Sequence, residues 1–325
     1  MKISIVLPVY NGEETLKRCL QAILDIDYPA KDYQLTVVND GSKDKSLDIM
    51  KSFVPKFKKK GVEIIIVDLK KNQGRVKARM AGAEKAKYDN LLFIDHRCIA
   101  DKDILKNIKK KDYEPMVGNP YQEREGSLIN RFFYTFRYLL YKPYFGLTYP
   151  EVYINKENFG RISKGFSPFF CNKKRFFESL PENKNDWASD DILVLRIVIK
   201  KKDILKTSEV RCLYLERHSS KDFLKHLYER GPKFVVYYSN SKTKYFLIIP
   251  LLLLFPLLFL GLICLLKWSF LYLVGILIVL FLLYMLFNDF SLIDFISMVV
   301  VGIPVLLSFA AGVYKGVFIK LFKKG

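Results

Sequence analysis

Three uncharged apolar runs near the carboxyl end constrain this chain more than any other feature. They cover residues 245–266, 270–287 and 295–314, and none contains Asp, Glu, Lys or Arg. A helix of about 20 apolar residues is long enough to cross the hydrocarbon core of a bilayer. We therefore expect an integral membrane protein whose region 245–320 forms two to three transmembrane helices.

The first 95 residues follow a different pattern, in which short apolar runs alternate with helical periodicity. The predicted strands run from Ile3 to Val9, Leu35 to Val38, Val62 to Val67 and Leu91 to Ile94. Their apolar residues are consecutive rather than alternate, which is typical of strands covered by helices on both faces. This pattern predicts an α/β domain with a parallel sheet.

Polar turns follow three of these strands, at residues 8–13, 39–44 and 95–97. The carboxyl ends of parallel strands meet at one edge of a sheet, where open α/β domains bind their ligands. The turn Asn39-Asp40-Gly41-Ser42 could be turn chemistry alone. Three such turns in succession favour a ligand site instead.

Three segments resemble the nucleotide-sugar half of family 2 glycosyltransferases: VLPVYNGEETLKRCL at 6–20, VVNDGSKD at 37–44 and NQGRVKARMAG at 72–82. The resemblance implies a GT-A fold, which is a Rossmann-like domain that binds a nucleotide-sugar. It assigns residues 1–235 to this catalytic domain, with the nucleotide-binding half at 1–97 and the acceptor half at 98–235. The α-helical transmembrane region follows.

The resemblance also implies roles for single residues. By this resemblance, the base and ribose of the donor contact Pro8, Tyr10, Asn11, Glu13 and Asp40. The positions that meet the diphosphate are Gly74, Lys77 and Arg79, where a helix amino terminus and basic side chains suit an anion. Met80 departs from the family, which usually has Asn there.

The fourth strand ends in Asp95-His96-Arg97, where the fold normally has Asp-x-Asp. The resemblance implies that Asp95 contacts the nucleotide-sugar and, with His218, holds Mg²⁺ or Mn²⁺. These cations prefer oxygen ligands, so Arg97 in place of the second carboxylate either weakens the metal site or supplies a fixed positive charge.

The segment WASDDILVLR at 187–196 resembles the acidic motif that supplies the catalytic base, and Asp191 is the matching carboxylate. The alternative is that Ser189, Asp190 and Asp191 only cap a helix. Arg230, in HLYERGPKF at 226–234, occupies the position of a cation that closes over the diphosphate.

Residues 128–140 carry aromatic and apolar side chains at helical spacing, with Arg131, Arg137 and Lys142 between or beside them. The segment is either a helix packed on the domain core or an interfacial helix at the lipid headgroups. In the second case Lys164, Gly165 and Phe166, with Phe169 and Phe170, would border an acceptor pocket.

The net charge of +20 lies mostly before Tyr245, where 48 basic and 31 acidic residues leave +17. A basic domain beside a membrane suits anionic lipids and a phosphate-bearing acceptor. Nucleic acid is not an expected partner, because no binding module accompanies the charge. The five cysteines are odd in number and scattered, which indicates buried free thiols.

These features predict a membrane-bound, inverting glycosyltransferase that moves one sugar from a nucleoside diphosphate, expected to be UDP, to a lipid-linked or cell-envelope glycan acceptor. The alternatives are a polyprenyl-phosphate glycosyltransferase and, from another class, an inactive membrane-attached scaffold. The catalytic domain is expected on the cytoplasmic side of a prokaryotic membrane.

The orientation of the last segment stays open. Three spans would place the carboxyl-terminal lysines outside, against the positive-inside tendency. A first run broken at Pro250 and Pro256 would leave two spans and return those lysines to the cytoplasm. The three-span arrangement is favoured because each run is long enough to cross.

Overall fold

The computed structural model describes residues 1–180, 190–215, 220–239, 272 and 274–322. The chain divides into two compact units. We call residues 1–123 and 140–216 the α/β unit, and residues 124–139 and 217–325 the helical unit. The catalytic domain predicted for residues 1–235 stays a prediction, and the contacts group residues 124–139 with the carboxyl-terminal part.

The first four strands of the α/β unit form the predicted parallel sheet. Strand β1 pairs in parallel with both β2 and β4, and β2 pairs in parallel with β3. Each lies within three residues of its predicted bounds at either end. The strands are β1 (Ile3–Val9), β2 (Tyr33–Asp40), β3 (Glu63–Leu69) and β4 (Asn90–Phe93).

Five further strands extend the sheet from β4, and most of them pair antiparallel. The order is β3-β2-β1-β4-β8-β6-β9-β5, and β7 pairs with β9 off this path. Among the described strands of this half, only β6 and β9 pair in parallel. These strands are β5 (Cys98–Ala100), β6 (Met116–Tyr121), β7 (Val152–Ile154), β8 (Phe169–Asn172) and β9 (Ile204–Tyr214).

Helices cover both faces of the sheet and explain the consecutive apolar residues of its strands. Ile5 of β1 belongs to a core cluster formed with α1, α2 and α4, while the adjacent Val6 belongs to a second cluster with α3, α6 and α7. Successive side chains of a strand point to opposite faces, so both faces must be apolar. The helices are α1 (Glu13–Leu24), α2 (Ser46–Lys60), α3 (Arg75–Lys85), α4 (Ile104–Lys111), α6 (Lys173–Glu178) and α7 (Asp190–Lys201).

The four cysteines in the part of the chain that the structure describes are free and buried, as expected from their scatter. All four lie in the α/β unit; they are Cys19, Cys98, Cys171 and Cys212.

The aromatic helix predicted around residues 128–140 is α5 (Leu128–Tyr141), and it packs within the helical unit. The ring centroids of Phe133 and Phe223 lie 4.8 Å apart, and those of Tyr138 and Phe290 lie 5.2 Å apart. The described part of the helical unit contains four further helices, which are α8 (Ser220–Ser239), α9 (Val274–Phe287), α10 (Leu292–Val300) and α11 (Gly302–Phe322). Aromatic side chains of α5 therefore pack on α8 and on Phe290, which lies just before α10.

A buried carboxylate joins the amino end of α5 to that of α10. Asp294 has no exposed surface and accepts from Arg124 at 2.6 Å and from Arg131 at 3.0 Å. Its carboxylate also accepts from the backbone N–H of Ser291 at 2.8 Å, which completes a capping box. Arg131, which the sequence leaves either on a packed helix or on an interfacial one, forms an internal ion pair.

One helix in the described part of the chain is long and apolar enough to cross a membrane, namely Leu292–Ile319, with a mean hydropathy of 2.3. Helix α9 is apolar but shorter. The predicted run 245–266 lies outside the described residues, so the number of spans stays a prediction.

Helices α8 and α11 lie side by side and touch through glycines. A Cβ built on Gly312 would lie 2.1 Å from the carbonyl oxygen of Tyr228, and one on Gly231 would lie 2.1 Å from the carbonyl carbon of Gly312. Ser308 Oγ donates to the carbonyl oxygen of Leu224 at 2.7 Å. The backbones approach so closely that only glycine fits at these two positions.

We therefore expect Gly312→Ala to lower the apparent melting temperature of the full chain in detergent by several degrees, because the added methyl group separates the two helices. Gly275→Ala in α9 is the matched control, since a Cβ there meets no atom within 4 Å. Equal melting temperatures for the two variants would contradict the close packing of α8 on α11.

Candidate active site

The first two polar turns are tied to each other by backbone and side-chain hydrogen bonds. Asn11 N–H donates to Ser42 Oγ at 3.1 Å, and Lys43 N–H donates back to Asn11 Oδ1 at 2.9 Å. The two turns are neighbours because Val9 and Asn39, the ends of β1 and β2, are paired in register. Asn11 adopts a left-handed backbone with φ of 48°, which asparagine tolerates better than most residues.

A second set of bonds ties the start of α1 to the start of α2. Glu13 N–H donates to Asp44 Oδ2 at 3.0 Å, and Lys45 N–H donates to Glu13 Oε2 at 3.1 Å. Gly12 N–H donates to Ser46 Oγ at 2.9 Å. The predicted site residues Asn11 and Glu13 therefore build the wall of the site, while the neighbouring Tyr10 presents a side chain that is 42% exposed.

Asp40 links the second turn to the amino terminus of α3. The residue is 3% exposed, and its two carboxylate oxygens accept from Gln73 N–H at 2.7 Å and Gly74 N–H at 3.0 Å. Burial raises the pKa of Asp40, and the two backbone hydrogen bonds oppose that rise. Gly74 has φ of +90°, a conformation that L side chains rarely adopt, so the turn needs glycine there.

Arg79 and Asp95 form an ion pair at the end of β4. Arg79 is 2% exposed, and its Nη2 donates to Asp95 Oδ1 at 3.1 Å. The guanidinium carbon of Arg79 also lies 4.3 Å from the ring centroid of Phe166. Of the basic residues predicted to meet the diphosphate, Arg79 is thus buried beside Asp95, whereas Lys77 is exposed on the same helix.

The loop before β8 is hydrogen-bonded to the backbone of Asp95. Asp95 N–H donates to Ser167 Oγ at 2.8 Å, and Ser167 Oγ in turn donates to Cys98 Sγ at 3.1 Å. Sequence reasoning missed Ser167, since no sequence signal connects positions 72 residues apart. Phe166, Phe169 and Phe170, which the sequence places at the border of an acceptor pocket, are at most 2% exposed and belong to the core.

Arg97 is hydrogen-bonded to Leu215, the residue that follows β9. Its Nε donates to the carbonyl oxygen of Leu215 at 2.9 Å, and Leu215 N–H donates to the carbonyl oxygen of Arg97 at 2.8 Å. The adjacent His96 has Nδ1 2.9 Å from Thr15 Oγ1 and lies under Gly12, where a Cβ would come within 2.8 Å of that nitrogen. Both residues of the altered Asp-x-Asp turn therefore make scaffold contacts, which the sequence did not reveal.

Asp95 is the described residue that suits a divalent cation. The described ranges contain no group of three or more His, Cys, Asp or Glu side chains placed to hold a metal ion. Mg²⁺ and Mn²⁺ accept one or two carboxylates together with substrate phosphates and water, so a single partly exposed carboxylate fits that chemistry. The other predicted ligand, His218, lies outside the described residues.

The remaining predicted site residues lie in different parts of the fold. Pro8 is buried within β1, and α7 begins at Asp190, so Asp191 lies in its first turn. Arg230 is exposed on α8 of the helical unit. The structure thus brings Tyr10, Asn11, Glu13, Asp40 and Gly74 together at the ends of β1 and β2.

The comparisons with known proteins agree with this geometry. The model of the Glycosyl transferase family 2 matches residues 4–178, which is more than half of the chain. The chain belongs to this family, so it is a glycosyltransferase by class, and the predicted family and GT-A fold are confirmed.

Curated relatives match over short stretches. The chain is 38% identical over 96 residues to a poly(ribitol-phosphate) beta-glucosyltransferase of Bacillus spizizenii, covering 29% of this chain and 14% of the relative. It is 29% identical over 134 residues to a poly-beta-1,6-N-acetyl-D-glucosamine synthase of Staphylococcus epidermidis, covering 40% and 31%. The matches span less than a third of the length of these relatives.

Two solved structures share the fold. TarS 1-349 of S. aureus, in complex with UDP, is 20% identical with a TM-score of 0.50, and the match covers 75% of this chain and 67% of that one. The mannosyltransferase PcManGT of Pyrobaculum calidifontis, in complex with GDP-Man and Mn²⁺, is 15% identical with a TM-score of 0.54 and coverage of 100% and 88%. At these identities the likeness shows the fold alone.

We expect Asp40→Ala to weaken binding of UDP to the full chain by roughly 1.5 to 3 kcal/mol, because a hydrogen bond to a charged group is lost. The measurement is isothermal titration of UDP. Asp48→Ala removes an exposed carboxylate of α2 and is the matched control. Unchanged UDP affinity in a folded Asp40→Ala variant would remove Asp40 from the donor site.

Proposed function

We propose that this protein transfers a single sugar, with inversion, from a nucleoside-diphosphate sugar to a lipid-linked or cell-envelope glycan acceptor. The observation that carries the proposal is the convergence of Tyr10 and Asp40 with the amino terminus of α3 at one edge of the sheet. The relatives named for glucosyl and N-acetylglucosamine transfer, and the fold relatives solved with UDP and GDP-Man, support this class of donor.

We place the base and ribose of the donor against Tyr10 and Asp40. An exposed aromatic ring can stack on a base, and a carboxylate can accept from a uracil N–H or a ribose hydroxyl. Each oxygen of Asp40 accepts one backbone N–H and has a second lone pair for the donor. UDP is the expected nucleotide.

We place the diphosphate near the amino terminus of α3, with Gly74 and Lys77 at its start and Arg230 closing over it. The helix dipole favours an anion at such a terminus. Asp95 would hold Mg²⁺ or Mn²⁺, with His218 as a second ligand. When bound, the cation neutralises charge on the departing diphosphate. The buried Arg79 keeps the Asp95 carboxylate oriented through their 3.1 Å contact.

The reaction requires one carboxylate that removes the proton of the acceptor hydroxyl as its oxygen attacks the anomeric carbon. The attack comes from the face opposite the leaving nucleoside diphosphate, which inverts the configuration. We assign this role to Asp191, in the first turn of α7.

The acceptor is proposed to reach the enzyme from the membrane. Many large apolar side chains of α9, α10 and α11 are exposed, including Phe287 at 86% and Leu307 at 64%. Water is a poor solvent for such a surface, whereas lipid is a good one. A cytoplasmic catalytic domain at a prokaryotic membrane, with anionic lipids as partners and no nucleic acid, fits this surface and the basic charge.

A polyprenyl-phosphate glycosyltransferase is the second candidate. The chain is 33% identical over 94 residues to an undecaprenyl-phosphate 4-deoxy-4-formamido-L-arabinose transferase of Edwardsiella ictaluri. Transfer to a polyprenyl phosphate itself, compared with transfer to a glycan already linked to lipid, separates the two candidates.

Asp191→Asn should abolish sugar transfer while UDP affinity stays within a few-fold, because the amide keeps the shape of the side chain but cannot accept the proton. The measurement is transfer from a panel of nucleotide-sugars, with UDP titration beside it. Asp190→Asn is the matched control and should retain turnover. Near-normal turnover of Asp191→Asn would assign the base elsewhere, and no transfer by the unaltered chain from any donor would favour the scaffold alternative.

Chelation should abolish transfer, and added Mn²⁺ or Mg²⁺ should restore it, because Asp95 and the diphosphate together suffice for a hard cation. Asp95→Ala should then damage turnover more than Arg97→Ala, whose side chain is bonded to Leu215. Activity that survives chelation, with Arg97→Ala the more damaging change, would show that fixed cations neutralise the leaving group.

A further inference from the structure

The acceptor half contains a buried lysine whose charge the fold does not balance. Lys206 of β9 is 2% exposed, and its Nζ lies 4.6 Å from the ring centroid of Tyr149, which is itself 8% exposed. Burial, together with the positive charge of Lys164, lowers the pKa of Lys206 to about 7. An ammonium group without an anion is costly in such a place.

Lys164 is a second half-buried amine beside the first. Its Nζ donates to the carbonyl oxygen of Ile162 at 2.8 Å and also to that of Phe159. Burial, together with the positive charge of Arg196 on α7, lowers the pKa of Lys164 to about 8. In the part of the chain that the structure describes, no carboxylate pairs with Lys164 or Lys206. The positive charge of Lys164 acts on Lys206, so the two amines lie near enough to repel each other.

The position of this lysine pair connects it with the candidate active site. Lys164 lies on the loop before β8, and Ser167 of the same loop holds the backbone of Asp95 at 2.8 Å. A Cβ built on Gly160 or on Gly165 would meet no atom within 4 Å, so there is open space along this loop. Arg196 lies on α7, the helix that begins at Asp190 and carries the proposed base.

We propose that Lys164 and Lys206 form a phosphate-binding subsite in the acceptor half, an inference that rests on the proposed function. A phosphate group would supply the negative charge that the described fold lacks at this point, and charge-assisted hydrogen bonds to ammonium groups are the strong kind. Two sources of this chemistry are compatible with the enzyme, namely the phosphate of a lipid-linked acceptor and the diphosphate of the donor.

The experiment uses the full chain in detergent and three variants, Lys206→Met, Lys164→Met and Lys200→Met. Methionine keeps the length of the buried stem and removes the charge. Lys200 is exposed at the end of α7 and serves as the matched control. The probes are inorganic phosphate, UDP, and undecaprenyl phosphate in mixed micelles, each titrated calorimetrically. A thermal melt of each variant checks the fold, and Lys206→Met should melt no lower than the unaltered chain because an unbalanced buried charge is removed.

We expect Lys206→Met and Lys164→Met each to weaken inorganic phosphate binding at least fivefold, while Lys200→Met leaves it within twofold. An equal loss for undecaprenyl phosphate, with UDP unchanged, identifies the acceptor as the source. The same loss for UDP, with undecaprenyl phosphate unchanged, identifies the donor.

The proposed subsite would be refuted if folded Lys206→Met and Lys164→Met variants bound all three probes as the unaltered chain does. That conclusion would hold even if the unaltered chain binds UDP and transfers sugar. Failure of the proposed function has a different signature, because an unaltered chain that neither binds UDP nor transfers sugar would refute it. The inorganic phosphate titration then still reports on the lysine pair.

Discussion

The buried carboxylate of Asp40 is the interaction on which the candidate donor site depends. It accepts from the backbone of Gln73 and Gly74 and so attaches the end of β2 to the start of α3. Helix α3 in turn carries Arg79 to the end of β4, where it pairs with Asp95. Asp40, helix α3 with Arg79, and Asp95 therefore connect the end of β2 to the end of β4. A buried charge is costly unless it is hydrogen-bonded or paired, and the charges of Asp40 and Arg79 both are.

The same principle distinguishes Arg79 from Lys206, the two buried basic residues in the described part of the α/β unit. Arg79 is balanced by Asp95 and covered by Phe166, so it can be nearly inaccessible without an outside partner. Lys206 is equally buried, but its Nζ lies over the ring of Tyr149, and the charge of Lys164 repels it. A ring offers about 2 kcal/mol or somewhat more to a desolvated cation, which is less than the cost of burying an unpaired charge. This imbalance is what points to a ligand beside Lys206.

The helical unit adds a second use of buried charge. Asp294 is fully buried and takes both Arg124 and Arg131, which ties the start of the aromatic helix α5 to the start of α10. A carboxylate at the first turn of a helix is also favoured by the helix dipole. The basic and aromatic stretch around α5 therefore serves internal packing as well as any contact with lipid, and the arginines in it are not equivalent.

The sequence by itself determined the parallel strands, the family, the aromatic helix and the apolar carboxyl-terminal region, because each follows from local periodicity or from motif letters within about 15 residues. Only the tertiary structure decided that Arg97 bonds to Leu215, that Ser167 supports Asp95, and that Arg131 pairs with Asp294. It also showed Phe169 and Phe170 to be core residues and Lys206 to be buried. These outcomes depend on pairings between positions about 70 to 160 residues apart in the chain. No local pattern records such pairings, because burial and charge balance are properties of the packed sheet and helices rather than of any one segment.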